Sequence, residues 1–183
     1  MNKERFLAFT DAIIAIIATI MVLEFKTPKT GDVSALREIA IPFAAYTISF
    51  FMVLTVWYNH HQLYRDVRTI TRRAYLYNII WLFIMSFFPF TTAWVGSYPT
   101  QFLPELIYIL IVSAWAGVFH VMEWELHKEN HEMMRAELTH SVDSWRIFGI
   151  NFAALVIVWF WPPIGLVSIA LLGILAVVQF FRK

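Results

Sequence analysis

Residues 5–24 read RFLAFTDAIIAIIATIMVLE, and how that run is understood decides the architecture of the chain. A helix needs roughly 20 predominantly apolar residues to cross the hydrocarbon of a bilayer. This segment supplies them with no glycine or proline to interrupt it. Arg5 and Glu24 stand at its ends, so a single charge, Asp11, falls inside it. A secretory signal peptide would also place Lys3 and Arg5 before an apolar run. Asp11 lies within the run, however, and Glu24 closes it without a small-residue cleavage pattern, so the segment reads as a first membrane span.

The sequence on the far side of this span is of the same kind. Of 183 residues, 60% are hydrophobic and 15% charged, against about 45–50% and about 25% in a soluble domain. Too little polar material is present to coat a water-facing surface, which excludes a cytosolic enzyme. A net charge of +1 gives no support for a nucleic-acid partner. The absence of cysteine excludes disulfides, thiolate metal sites and a cysteine nucleophile. Apolar runs at about 4–25, 39–64, 71–95, 101–124, 144–161 and 163–181 predict six spans in one all-α domain covering 1–183. Breakers fall between them: Pro28 with Gly31, Gly96 with Pro99, and Pro162–Pro163. The polar tract from Glu125 to His140 reads as a helix extension beyond the membrane.

Basic residues divide unevenly over this layout. Lys3, Arg5, Arg65, Arg68, Arg72, Arg73, Lys128, Arg135, Arg146, Arg182 and Lys183 fall on one side, and only Lys26, Lys29 and Arg37 on the other. The positive-inside rule then places both termini in the cytoplasm of a multi-pass protein of the cell membrane. Of the tryptophans, Trp57, Trp94, Trp124, Trp145, Trp159 and Trp161 lie near span ends and read as interfacial anchors, whereas Trp81 and Trp115 lie inside spans and read as packing between helices.

A carboxylate inside a span costs about 2.5–3.5 kcal/mol on insertion scales and needs a partner. Arg5 is six residues from Asp11, far around the helix at about 100° per residue, so the partners of both are expected on other helices or subunits. By the same rotation Ile16, Ile20 and Leu23 form one stripe, flanked by Ala12 and Thr19 and continued by Phe9 and Arg5, and Asp11 points away from it. Such a stripe suits ordinary helix packing as well as a pore lining. Ala8, Ala12, Ala15 and Ala18 permit close helix approach on either reading.

The order Arg5, Phe9-Thr10-Asp11, then an Ala/Ile-rich run with Thr19 and Leu23-Glu24, resembles the first helix of the transmembrane protein 175 family of potassium channels. That family carries Phe-Ser-Asp where this chain has Phe-Thr-Asp, so the hydroxyl is retained. Trp57 with His60-His61, and Asn78 followed by Phe88-Pro89-Phe90, extend the resemblance into the second and third spans. The resemblance implies a six-helix subunit whose first helix lines the central pore of a homotetramer. Animal members are similar to two fused copies of such a unit; this chain, with no internal repeat, looks like the single-copy form. Carried over by position, Ile16, Thr19, Ile20 and Leu23 would line the pore. Arg5, Phe9, Thr10, Asp11, His60, His61 and Asn78 would form a structural network near the cytoplasmic side. The implied function is passive potassium permeation, with lipid and other copies of the chain as partners and no cofactor.

Trp94-Val95-Gly96-Ser97-Tyr98 superficially resembles a carbonyl potassium filter, but an extra serine interrupts it and the second glycine is missing. Selectivity then falls to the helix stripe, where Ile16, Ile20 and Leu23 would form an apolar constriction and Thr19 would replace part of an ion's hydration shell. Glu24 would either concentrate cations at the outer mouth or simply solvate the helix end. His127 and His131, four apart, have metal-ligand spacing with His140 or Glu132 as a further ligand, although without a further ligand in fixed relation a solvated polar helix is the better reading. Two other functions compete. A haem protein would need two facing histidines at membrane depth, where only His120 is placed. A coupled transporter built on Asp11 and the histidines would be expected to show internal repeats or broken helices.

Overall fold

The computed structural model describes residues 2–65, 67, 69–130 and 141–182. These form seven helical segments: α1 (Lys3–Leu23), α2 (Ala35–Arg65), α3 (Arg72–Met85), α4 (Phe88–Ser97), α5 (Phe102–Glu129), α6 (Ser141–Ile157) and α7 (Ile164–Arg182). Among the described residues, four rods are long and apolar enough to cross a membrane: α1, α2, α3 with α4, and α5. Among the described residues, the apolar stretches of the last two helices, Phe148–Ile157 and Ile164–Leu175, are shorter. The chain is an all-α membrane protein.

Local chemistry sets the ends. Asn2 caps α1, its side chain accepting from the backbone N–H groups of Glu4 and Arg5, and Thr71 caps α3 through Ala74 N–H. α2 begins four residues before the expected 39, and α5 continues five past the expected 124, to Glu129. Hydropathy marks only the apolar part of a helix, and here polar turns extend it beyond that part. α6 stops at Ile157, short of the expected 161, because a residue preceding proline is pushed out of the helical region and Pro162–Pro163 follow.

The third expected span, 71–95, is not one helix. It breaks at Ser86–Phe87, and α4 restarts with Pro89 in its first turn. Proline lacks the N–H that would bond to Met85 and its ring crowds that carbonyl, so a helix start is where it fits. Gly96 is a correction of the same kind. It lies inside α4, where a Cβ would come within 3.0 Å of Pro42 Cα and 3.2 Å of Ala45 Cβ, so it serves the close approach of α4 to α2.

α1 and α2 run antiparallel, with Lys3 Nζ donating to Arg65 O at 2.9 Å. The largest buried cluster joins Ile14, Ile17, Ala18 and Met21 of α1 to Met52, Trp81, Met85, Phe88, Val95 and Trp115. Trp81 and Trp115 stack at 5.6 Å between α3 and α5. Toward the N-terminal end of α1, a second cluster packs Phe6 with Leu63, Tyr64, Ala74, Met122 and Leu126.

α7 is fixed by a buried carboxylate that the sequence reading passed over. Glu105, in the first turn of α5, accepts from Leu166 N–H at 3.0 Å and so caps α7 from another helix. Gly165 lies against the same oxygen, and a methyl there would collide with Glu105 Oε2. Gly165→Ala should therefore destabilise the protein by about 0.5–2 kcal/mol, the usual cost of a lost cap. Thermal unfolding in detergent checks this, and an unchanged midpoint would dismiss the cap.

Candidate pore helix and its polar clamp

The two sides of α1 are chemically opposite. Phe6, Thr10, Ile14, Ile17, Ala18 and Met21 are buried against the rest of the chain. About half a turn away lies an open face of Arg5, Ala8, Phe9, Ala12, Ile16, Thr19, Ile20, Leu23 and Glu24. On it Ile16 is 56% exposed, Ile20 40% and Leu23 77%. The Thr19 hydroxyl donates to the carbonyls of Ala15 (3.0 Å) and Ile16 (2.9 Å), which uses its proton and leaves oxygen lone pairs free.

Two polar contacts hold the N-terminal half of α1, one at the edge of its buried side and one within it. Trp57 Nε1 of α2 donates to Asp11 Oδ1 at 2.8 Å, so the carboxylate partner comes from another helix. Alongside, Asn78 Nδ2 of α3 donates to Thr10 Oγ1 at 2.9 Å, and Asn78 Oδ1 is 2.9 Å from His60 Nε2. An amide oxygen can only accept, so the His60 proton resides on Nε2. Thr10, His60 and Asn78 are all fully buried. The His60 ring is further held flat on Trp81 at 5.0 Å, only 7° from parallel. Three helices thus converge on one polar clamp.

Not every residue expected in that network joins it. Arg5 and Phe9 lie on the open face, and no hydrogen bond or ion pair reaches the Arg5 guanidinium among the described residues. His61 is exposed, its ring 6.2 Å from that of Trp57. The missing member is Trp57, read from the sequence as an interfacial anchor. Its place three residues before His60, on the same face of α2, is the signal that connects it to the clamp.

The remaining candidates separate cleanly. Trp94 to Ser97 lie in α4, and the Tyr98 N–H bonds back to the carbonyls of Trp94 and Val95, so this stretch forms no carbonyl-lined filter loop. His127 Nδ1 lies 2.8 Å from Glu123 O. His131, Glu132 and His140 lie outside the described residues, and among the described residues no group of three potential ligands could hold a metal. His120 sits 3.2 Å from Glu123 Oε2 and 5.0 Å, ring to ring, from Phe148.

A bundle of apolar helices whose first member is clamped by polar bonds on one side and bare on the other defines a multi-pass membrane protein. Residues 5–89 match the family described as endosomal/lysosomal potassium channel TMEM175. The chain is 40% identical over 97 residues to a potassium channel of Chryseobacterium sp., covering 53% of this chain and 50% of that one. It is 30% identical over 140 residues to a potassium channel of Streptomyces collinus, covering 72% and 68% respectively. Its fold matches the crystal structure of a lysosomal potassium-selective channel TMEM175 homolog from Chamaesiphon minutus with a TM-score of 0.84, over 97% of both chains at 24% identity. The chain belongs to the TMEM175 family of potassium channels, a family of ion channels and not of enzymes.

Proposed function

We propose that this protein is a cell-membrane potassium channel, built from four copies with α1 of each lining a central passage. One observation carries the reading: the open face of α1 holds Ile16, Thr19, Ile20 and Leu23 in a continuous stripe, turned away from the subunit's own core. Fourfold rings of isoleucine and leucine make a narrow apolar constriction that water leaves readily. An ion entering it must shed part of its hydration, and potassium holds its water less tightly than sodium. Thr19 oxygens, with their protons committed to the helix backbone, face the ion with lone pairs only. In this reading six spans place both termini in the cytoplasm, Arg5 lies toward the inner mouth, and Glu24 lies at the outer one, where it draws cations.

Purified protein in potassium-loaded liposomes provides the test. A flux that runs down the potassium gradient and stops when the gradient is spent is expected. Accumulation against a potassium gradient, coupled to another ion, would replace the channel by a transporter. Thr19→Val keeps the side-chain volume and removes the oxygen, so it should lower potassium preference over sodium with little change in total conductance. A reversal potential equal to wild type in mixed potassium and sodium would place the hydroxyl outside the ion path.

A further inference from the structure

A second buried polar cluster lies farther along the bundle and is not part of the clamp at Asp11 and Thr10. Thr92 Oγ1 of α4 donates to Ser49 Oγ of α2 at 2.9 Å, and Ser49 Oγ lies 2.5 Å from Tyr108 Oη of α5. Ser49 and Tyr108 are completely buried and Thr92 nearly so. The Thr47 and Thr55 hydroxyls of α2, by contrast, bond within their own helix, to Phe43 O and Phe51 O. Ser49, Thr92 and Tyr108 instead bond across three helices, which fixes α4 in register against α2 and α5.

The depth of this cluster matters. Ser49 precedes Trp57 by eight residues on α2, and Thr19 follows Asp11 by eight on the antiparallel α1. At about 1.5 Å per residue both lie about 12 Å from the Trp57–Asp11 bond, so the hydroxyl cluster stands level with the middle of the Ile16–Leu23 stretch. That stretch is backed by α4 together with α2: Ile14, Ile17, Ala18 and Met21 share a buried cluster with Phe88 and Val95 of α4 and Ala45 and Met52 of α2. The N-terminal half of α1 is bonded to α3 through Asn78 and to α2 through Trp57. Between α3 and α4 the helix is interrupted at Ser86–Phe87. α1 is therefore flanked by polar anchors at two depths, the clamp at Thr10 and Asp11 and the hydroxyl cluster that ties α4 to α2 and α5.

We propose that Ser49, Thr92 and Tyr108 are positioning residues for the ion path: by holding α4 they set the radial position of Ile16, Ile20 and Leu23, independently of the clamp at Thr10 and Asp11. The proposal rests on the reading of α1 as the pore helix. None of the three touches the ion.

The absence of native cysteine makes a direct measurement possible. Leu23→Cys and Phe9→Cys, each the single cysteine in its channel, are spin-labelled, and distances between subunits are read by pulsed electron resonance with and without Thr92→Val. The expected result is a shifted or broadened distribution at position 23, an unchanged one at position 9, and a reversal potential displaced toward equal potassium and sodium permeability. Thr92→Ser should restore both readouts. Tyr108→Phe, which removes only the hydroxyl and leaves the ring, repeats the test should Thr92→Val yield no folded channel. Unchanged distances at position 23 with wild-type reversal potentials in either variant would overturn the proposal, provided that Leu23→Ala itself alters selectivity. If Leu23→Ala does not, the pore assignment of α1 fails and the positioning role falls with it, a result distinct from failure of the cluster alone.

Discussion

Replacing Leu23 by alanine should raise the potassium conductance of the reconstituted channel and move its potassium–sodium reversal potential toward equal permeability. Ile16→Ala should do the same. Leu23 is the most exposed large side chain on the open face of α1, and Ile16 lies on the same stripe nearly two turns closer to the N-terminus. In a fourfold ring each truncation removes side-chain carbon from four sides of the passage at once. The wider passage admits ions with more of their hydration intact, and the energetic distinction between a loosely and a tightly hydrated cation shrinks. Tenfold discrimination corresponds to only about 1.4 kcal/mol, so a small relief of dehydration is enough to erase it. The folded core should be untouched, since neither side chain packs within its own subunit as Ile14, Ile17 and Met21 do. Bilayer recordings in symmetric and bi-ionic solutions separate the two effects. If both variants keep wild-type conductance and reversal potential, the stripe is a packing surface and the ion path lies elsewhere.

That stripe was visible in the sequence because helical periodicity is a property of local geometry. The apolar runs gave the rods for the same reason, and their errors share one cause: hydropathy marks where a helix is apolar and says nothing of where its hydrogen bonds stop. Hence α2 and α5 run past their apolar parts, and the break before Pro89 lies inside a run of unbroken hydrophobicity. Polar contacts between helices were harder to read. Asp11 announced its need for a partner, yet choosing Trp57 required knowing that α2 returns antiparallel beside α1. Ser49 and Thr92 carried no signal at all, since a serine or threonine in an apolar helix can bond to its own backbone carbonyl and usually needs nothing more. Arg5 and Phe9 were grouped with Asp11 only by the family resemblance, and the helical rotation that already set them on the stripe in the sequence agrees with their place on the open face.

Asn78→Leu should be the most destabilising single change in the clamp. The substitution keeps the number and branching of side-chain heavy atoms and deletes two hydrogen bonds at once, one to Thr10 of α1 and one to His60 of α2. Interhelical hydrogen bonds in membrane proteins average about 0.6 kcal/mol, because separated helices find other partners. Here the consequences for the two partners differ. Thr10 can turn its hydroxyl to a carbonyl of its own helix, as Thr19 does. His60 cannot, for its ring is held against Trp81 and its Nε2 proton is then buried with no acceptor. An unmatched buried donor costs roughly 1–3 kcal/mol, so the total should exceed the membrane average. Thr10→Val, which leaves the His60–Asn78 bond intact, should cost less than Asn78→Leu, and Thr10→Ser should be close to neutral. His60→Phe added to Asn78→Leu removes the stranded donor and should recover part of the loss, because deleting both partners is cheaper than deleting one. Thermal unfolding in detergent of wild type, Asn78→Leu, His60→Phe and the double variant, a double-mutant cycle, measures the coupling directly. Additive costs at Asn78 and His60, or a wild-type midpoint for Asn78→Leu, would show that the clamp does not hold α1 to α2 and α3.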